Sequence, residues 1–87
     1  MTIQKTLKER QKTHGDFNTH ALISQSIKES MWSFITKEKM DSLEPEQVEA
    51  LEMIAHKIAR ILNGNPNHKD HWHDIAGYAT LVADTLE

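Results

Sequence analysis

Three of the six histidines, His68, His71 and His73, stand among Asp70, Trp72, Asp74 and Tyr78 in one short C-terminal stretch. Imidazole and carboxylate bind metals and move protons, so chemistry is first sought here. On a helix, His71 and Asp74 lie three apart and Asp70 and Asp74 four apart, which brings pairs of ligands to one face. Oxygen-rich pairs suit magnesium or manganese, and imidazole draws zinc or another transition metal. The plainer account makes Asp70 a favourable charge at the helix start, leaves His68 and His71 exposed and lets Asp74 bond to a neighbouring base. No His-Glu-x-x-His pattern is present to single out a zinc site.

A second constellation lies upstream. Glu49 and Glu52 have an E-x-x-E spacing, His56 follows Glu52 by four residues, and Lys57 and Arg60 come next. Two acids followed by bases suit a metal-bound phosphate. They equally suit ordinary pairs on a solvated face, each worth only a few tenths of a kcal/mol. If these two helices pack as a hairpin, the acids lie on the far side of each apolar stripe and converge only when another helix or a second subunit covers that side. Two further features are weaker. Gly77 inside a helix costs about 1 kcal/mol against alanine, which points to close helix–helix contact there. Arg10, Lys12 and His14 before Gly15 could meet phosphate, although a helix-ending turn explains the glycine without a ligand.

The elements that must position these residues are all helical. A short helix runs from Thr2 to about Lys12, stopped at His14-Gly15-Asp16, where Asp16 or Asn18 caps the next helix. The second spans about Asn18 to Lys37, with Ala21, Leu22, Ile23, Ile27, Met31, Phe34 and Ile35 at helical spacing and Trp32 off the centre of the stripe. Lys39–Glu44 reads as a connection. The third helix runs from about Glu44 to Leu62, with Pro45 near its start and an apolar stripe of Val48, Leu51, Ile54, Ala55, Ile58, Ile61 and Leu62. Glu49, Met53, His56 and Arg60 fall on the opposite side, with Glu52 and Lys57 flanking them. Asn63-Gly64-Asn65-Pro66-Asn67 is turn chemistry. The fourth helix, about Asp70 to Leu86, carries Trp72, Ile75, Ala79, Val82 and Leu86 as a second stripe, so Trp72 and Ile75 read as core. The expected fold is a single all-α domain over 1–87, a small bundle of three main helices and a short N-terminal one, self-associating.

Composition narrows the partners. Eighty-seven residues with no cysteine exclude a disulfide framework and a thiolate zinc site. A net charge of −3, with both signs spread along the chain, argues against non-specific nucleic-acid binding; the basic cluster Lys5, Lys8, Arg10 and Lys12 is a local exception that reads as a solvated helix face sooner than a phosphate site. No apolar run approaches a membrane span, and no signal-peptide pattern opens the chain, so the expectation is a cytoplasmic protein.

Three blocks taken together are similar to a family of short phage and prophage proteins: Glu9-Arg10-Gln11-Lys12-Thr13-His14-Gly15-Asp16, Ile54-Ala55-His56-Lys57-Ile58-Ala59-Arg60, and Trp72-His73-Asp74-Ile75-Ala76-Gly77-Tyr78-Ala79. The resemblance covers about Glu9 to Leu86 and implies an all-helical domain of phage origin, without an established activity. More distantly the chain resembles the all-α nucleoside triphosphate pyrophosphatases of the MazG and dimeric dUTPase type, which hold magnesium between an E-x-x-E helix and an E-x-x-D helix. Glu49-x-x-Glu52 matches the first half, and His71-x-x-Asp74 matches the second only in its aspartate. That resemblance implies magnesium held by Glu49, Glu52 and Asp74, with His71 as a fourth ligand or catalytic base. Lys12, Lys57 and Arg60 would meet the phosphates of a nucleotide. The competing expectation is a non-enzymatic protein that binds and modulates a host or phage protein, with Trp32, Trp72 and Tyr78 at the contact surface.

Overall fold

The computed structural model describes residues 2–86, all of the expected 1–87 domain except its two end positions. It contains five helices and no strand among the described residues. They are α1 (Ile3–His14), α2 (Phe17–Ser33), α3 (Lys37–Ser42), α4 (Pro45–Asn63) and α5 (Lys69–Ala83). The all-α bundle is as expected, with one added element. The segment read as a connection contains α3, because Thr36 breaks the second helix early and starts another. Its hydroxyl accepts from the Lys39 N–H at 3.1 Å. The other starts follow sequence signals. The Asp16 carboxylate accepts from the Asn18 and Thr19 N–H groups, and the Gln47 side chain accepts from the Glu44 N–H at 2.9 Å, ahead of the long α4.

α4 is the central element. α2 packs on one side of it and α5 on another, and α2 and α5 do not touch each other. Both neighbours run antiparallel to α4. His20 meets His56 while α3 brings the chain back to the start of α4, and Lys57 meets Asp74 close to the α4–α5 turn. The apolar residues that are fully buried are alanines, Ala50, Ala55 and Ala59, all on α4.

Packing departs from the stripe reading. The side of α4 expected to be solvated is largely covered: Lys57 is only 8% exposed, and His56 and Arg60 are half-buried. Part of the apolar stripe is open instead, with Leu51 at 41% and Leu62 at 66%. The reason is that α2 and α5 bring polar partners, His20 and Asp74, to the polar side. Trp72, expected in the core, is 55% exposed. Its indole N–H donates to the Pro66 carbonyl at 2.8 Å, which draws the ring over the α4–α5 turn. Nothing lies within 4 Å of where a Gly77 side chain would sit, so that glycine marks no close approach within the chain.

Two other glycines do. Gly15 has a φ of 76°, in the region where glycine is favoured, and it faces Asn63. Gly64 lies against the Thr13 carbonyl. The Asn65 N–H donates to that carbonyl at 2.9 Å, and the Asn63 amide donates to the Asp16 carbonyl at 2.8 Å. The α1–α2 turn is thereby clasped to the α4–α5 turn. A methyl group at Gly64 would overlap the Thr13 backbone, so Gly64→Ala is expected to lower stability by about 1–3 kcal/mol, whereas Gly77→Ala should be neutral or stabilising. Chemical denaturation of both variants checks the contrast.

Candidate functional site

The clasp brings the end of α1 and the start of α2 against the second half of α4. Between them lies a cavity of about 290 Å³. Arg10 and His14 come from α1, His20 from α2, and His56 and Arg60 from α4, with Leu7 and Phe17 giving an apolar rim. Among the described residues no carboxylate lines it. Among the described residues the ion pairs are Lys37–Asp41, Lys57–Asp74 and His68–Asp70, so neither Arg10 nor Arg60 is engaged in one.

His20 and His56 meet edge to face, with His20 Nε2 3.2 Å from His56 Nδ1. His20 Nδ1 is buried without a partner. A buried N–H left unpaired is costlier and rarer than an unpaired lone pair, so His20 Nε2 carries the proton and donates to His56 Nδ1. Neutral His56 then carries its own proton on Nε2 and keeps that donor unspent by its neighbour.

The electrostatics of the cavity are those of a positive site lined with uncharged imidazoles. Burial, then the nearby Arg60 charge, lowers His56 from 6.5 to about 4. Burial, then Arg60 and the neighbouring His71 and His68, lowers His14 to about 4 as well. His20 is lowered for the same two leading reasons, burial and Arg60. Burial also lowers Arg60, and a guanidinium nevertheless stays charged throughout the physiological range.

Behind the cavity a second histidine group joins α1 to α5. The His71 ring stands 5.1 Å from that of His14 and 4.7 Å from that of His68, centre to centre. His71 is 2% exposed, and its Nε2 donates to the Thr13 carbonyl at 3.0 Å.

Residues 2–86 match the family model described as a domain of unknown function, DUF6378. The chain belongs to that family. No curated protein and no solved structure matches it.

In this DUF6378 domain the residues singled out from sequence go to different places. Arg60 lines the cavity, as do Arg10 and His14 from the turn block. Lys57 does not reach it: it is buried and paired with Asp74 at 2.8 Å. Lys12 is exposed and outside the lining. His71 is a strut between helices, its Nε2 donating to backbone and its ring 2% exposed. Glu49 is exposed and Glu52 half-buried, while Asp74 is held by Lys57. Among the described residues no group of three or more histidines and acids stands close enough to hold a metal ion. Within one chain, therefore, Glu49, Glu52 and Asp74 do not form a group. Trp32 and Tyr78 are half-buried. Sequence reasoning missed the His20–His56 pair. Its one signal was a polar pair at i and i+4 on α2, His20 and Ser24, beside an otherwise apolar stripe.

Two outcomes follow from the charges. The folded pKa values of His14 and His56 lie below 6.5, so the unfolded chain takes up protons first. The stability gained by keeping these rings neutral is complete above about pH 6.5 and is lost as pH falls from there towards about 4. Thermal melts should show the melting temperature falling across that window, with a shallower fall in His56→Gln. Asp74→Asn strips the buried Lys57 of its counter-charge and should lower the melting temperature, and Lys57→Met in the same chain should recover part of the loss.

Proposed function

We propose that this domain binds a phosphorylated small molecule of the nucleotide class in the cavity between α1, α2 and α4. The observation that carries the reading is the lining itself: two guanidinium groups and three imidazoles, with no ion pair to either guanidinium and no lining carboxylate among the described residues. A partly buried charge favours a counter-ion, and the planar guanidinium matches phosphate with paired N–H donors. The His56 Nε2 proton adds a neutral donor. Leu7 and Phe17 offer an apolar edge against which a base or another non-polar part could rest. A volume of about 290 Å³ suits a small ligand.

The reading is binding rather than hydrolysis. Magnesium-dependent pyrophosphohydrolysis, implied by the resemblance to all-α pyrophosphatases, would need Glu49, Glu52 and Asp74 to be joined by acids of another chain and Asp74 to be released from Lys57. A second reading, a phage-type accessory protein that binds and modulates another protein, is favoured by large apolar side chains left open, among them Phe34 at 96% and Phe17 at 78%. Self-association belongs to the same proposal, and magnesium is not required by it.

Thermal shift and calorimetry with inorganic phosphate, pyrophosphate and a panel of nucleotides, with and without magnesium, test the reading. Site-specific binding should raise the melting temperature. Arg60→Gln should weaken binding about tenfold or more, which corresponds to about 1.4 kcal/mol. An anion beside the imidazoles raises their pKa, so binding should take up protons, seen as a dependence of the heat on the buffer's ionisation enthalpy. Absence of any shift across the panel would remove the proposal. Phosphate release only in the presence of magnesium would move it to the enzyme reading.

A further inference from the structure

The elongated arrangement of helices, 46 × 27 × 23 Å, leaves a surface that the chain does not cover by itself. α2 and α5 flank α4 without meeting, and in the gap between them α4 shows the line Leu51, Ile58 and Leu62. Leu51 and Leu62 are 41% and 66% exposed, and Ile58 is partly open. Towards the start of α4 the line continues into a groove of about 320 Å³, walled by Leu43, Leu51, Ile54 and Val82. No charged residue lies on the line or in the groove lining.

The surface area says how much is missing. The chain exposes 6511 Å² at a mass of 10.0 kDa. A compact monomer of that mass would expose roughly 5,200 Å². The excess, roughly 1,300 Å², is more than the ~800 Å² that one partner contributes to a standard interface. The shape agrees: the radius of gyration is 15.0 Å, against about 12 Å for a compact chain of this length. Among the described residues the fully buried apolar ones are alanines, a small core for a domain of this size.

We infer that a second copy of this chain docks on this face, α4 against α4, to form a two-layer dimer whose shared core is the Leu51–Leu62 line and the adjoining groove. A second copy suits the face better than a different protein. An apolar line without charge is complementary to itself about a two-fold axis, and it presents no charge for a foreign partner to match. The phosphate cavity is lined by other residues of α4, His56 and Arg60, which helical spacing sets on the side away from Leu51 and Leu62, so ligand entry remains open. This inference rests on the self-association part of the functional proposal and not on the cavity.

Light scattering after size exclusion, with melting temperature measured over a range of protein concentrations, tests it. The expected results are a mass of twice 10.0 kDa and a melting temperature that rises with concentration. Leu62→Lys, at a position already open in one chain, should shift the mass to that of a monomer while circular dichroism still reports helix. Ile58→Glu should act likewise, and if it fails to fold, the concentration dependence of the wild type still decides. A monomeric mass with a concentration-independent melting temperature would overturn the inference and leave the face to another partner. A dimer unchanged by Leu62→Lys would overturn it too, placing the interface elsewhere. Arg60→Gln should leave the mass unaltered, which separates failure of this interface from failure of the cavity reading.

Discussion

Two donors from the α4–α5 turn region converge on one backbone oxygen, the carbonyl of Thr13: the Asn65 N–H at 2.9 Å and His71 Nε2 at 3.0 Å. Gly64 can sit against the same peptide because it has no side chain. The Asn63 amide holds the next turn of chain through the Asp16 carbonyl. These bonds determine where α1 ends and where α2 begins relative to α4. Every residue of the cavity depends on that placement, since Arg10 and His14 lie just before the clasp, His20 just after it, and His56 and Arg60 on the helix it grips. His71, at the centre of the densest cluster of histidines and acids, is thus a structural donor closed off from solvent.

The charges then sort into two kinds. Lys57 and Asp74 neutralise each other between α4 and α5, which secures the hairpin and withdraws both from ligand binding. Hydrogen bonding to Lys57 leads the lowering of the Asp74 pKa, and it keeps the carboxylate ionised. Arg60, one turn farther along α4, forms no ion pair among the described residues, and burial first and then its charge lower the three imidazoles around it. Burial and the Arg60 charge together keep these rings neutral, and an anion beside them would favour their protonated forms.

Much of the framework was legible from residues alone. The helix starts at Asp16 and Pro45, the stop at Gly15 and the turn at Asn63–Asn67 each rest on local chemistry, and each is where the sequence places it. α3 was not legible, because a single turn begun by Thr36 carries too little periodicity to stand out from a connection. The site was legible in fragments. Arg10, His14 and Arg60 could be named as phosphate partners, but His20 and His56 are 36 residues apart, and only packing reveals that they touch. Lys57 misled for a physical reason: a lysine flanking an apolar stripe reads as solvated unless its partner, here Asp74 on the next helix, is known. The α4 stripe was itself correct as a pattern of apolar residues, and part of it, Leu51 and Leu62, stays open because α2 and α5 flank that side without meeting.

The central claim is that the clasped turns hold a basic, imidazole-lined cavity that receives a phosphorylated ligand. Nuclear magnetic resonance of the histidine side chains during titration with pyrophosphate tests it most directly, because it reports each ring separately. The account predicts that the His14, His20 and His56 resonances move together and saturably and that their pKa values rise, while exposed His73 remains where it was. Saturable binding that leaves those three rings unmoved, or that moves only His73 and its neighbours at the start of α5, would contradict it.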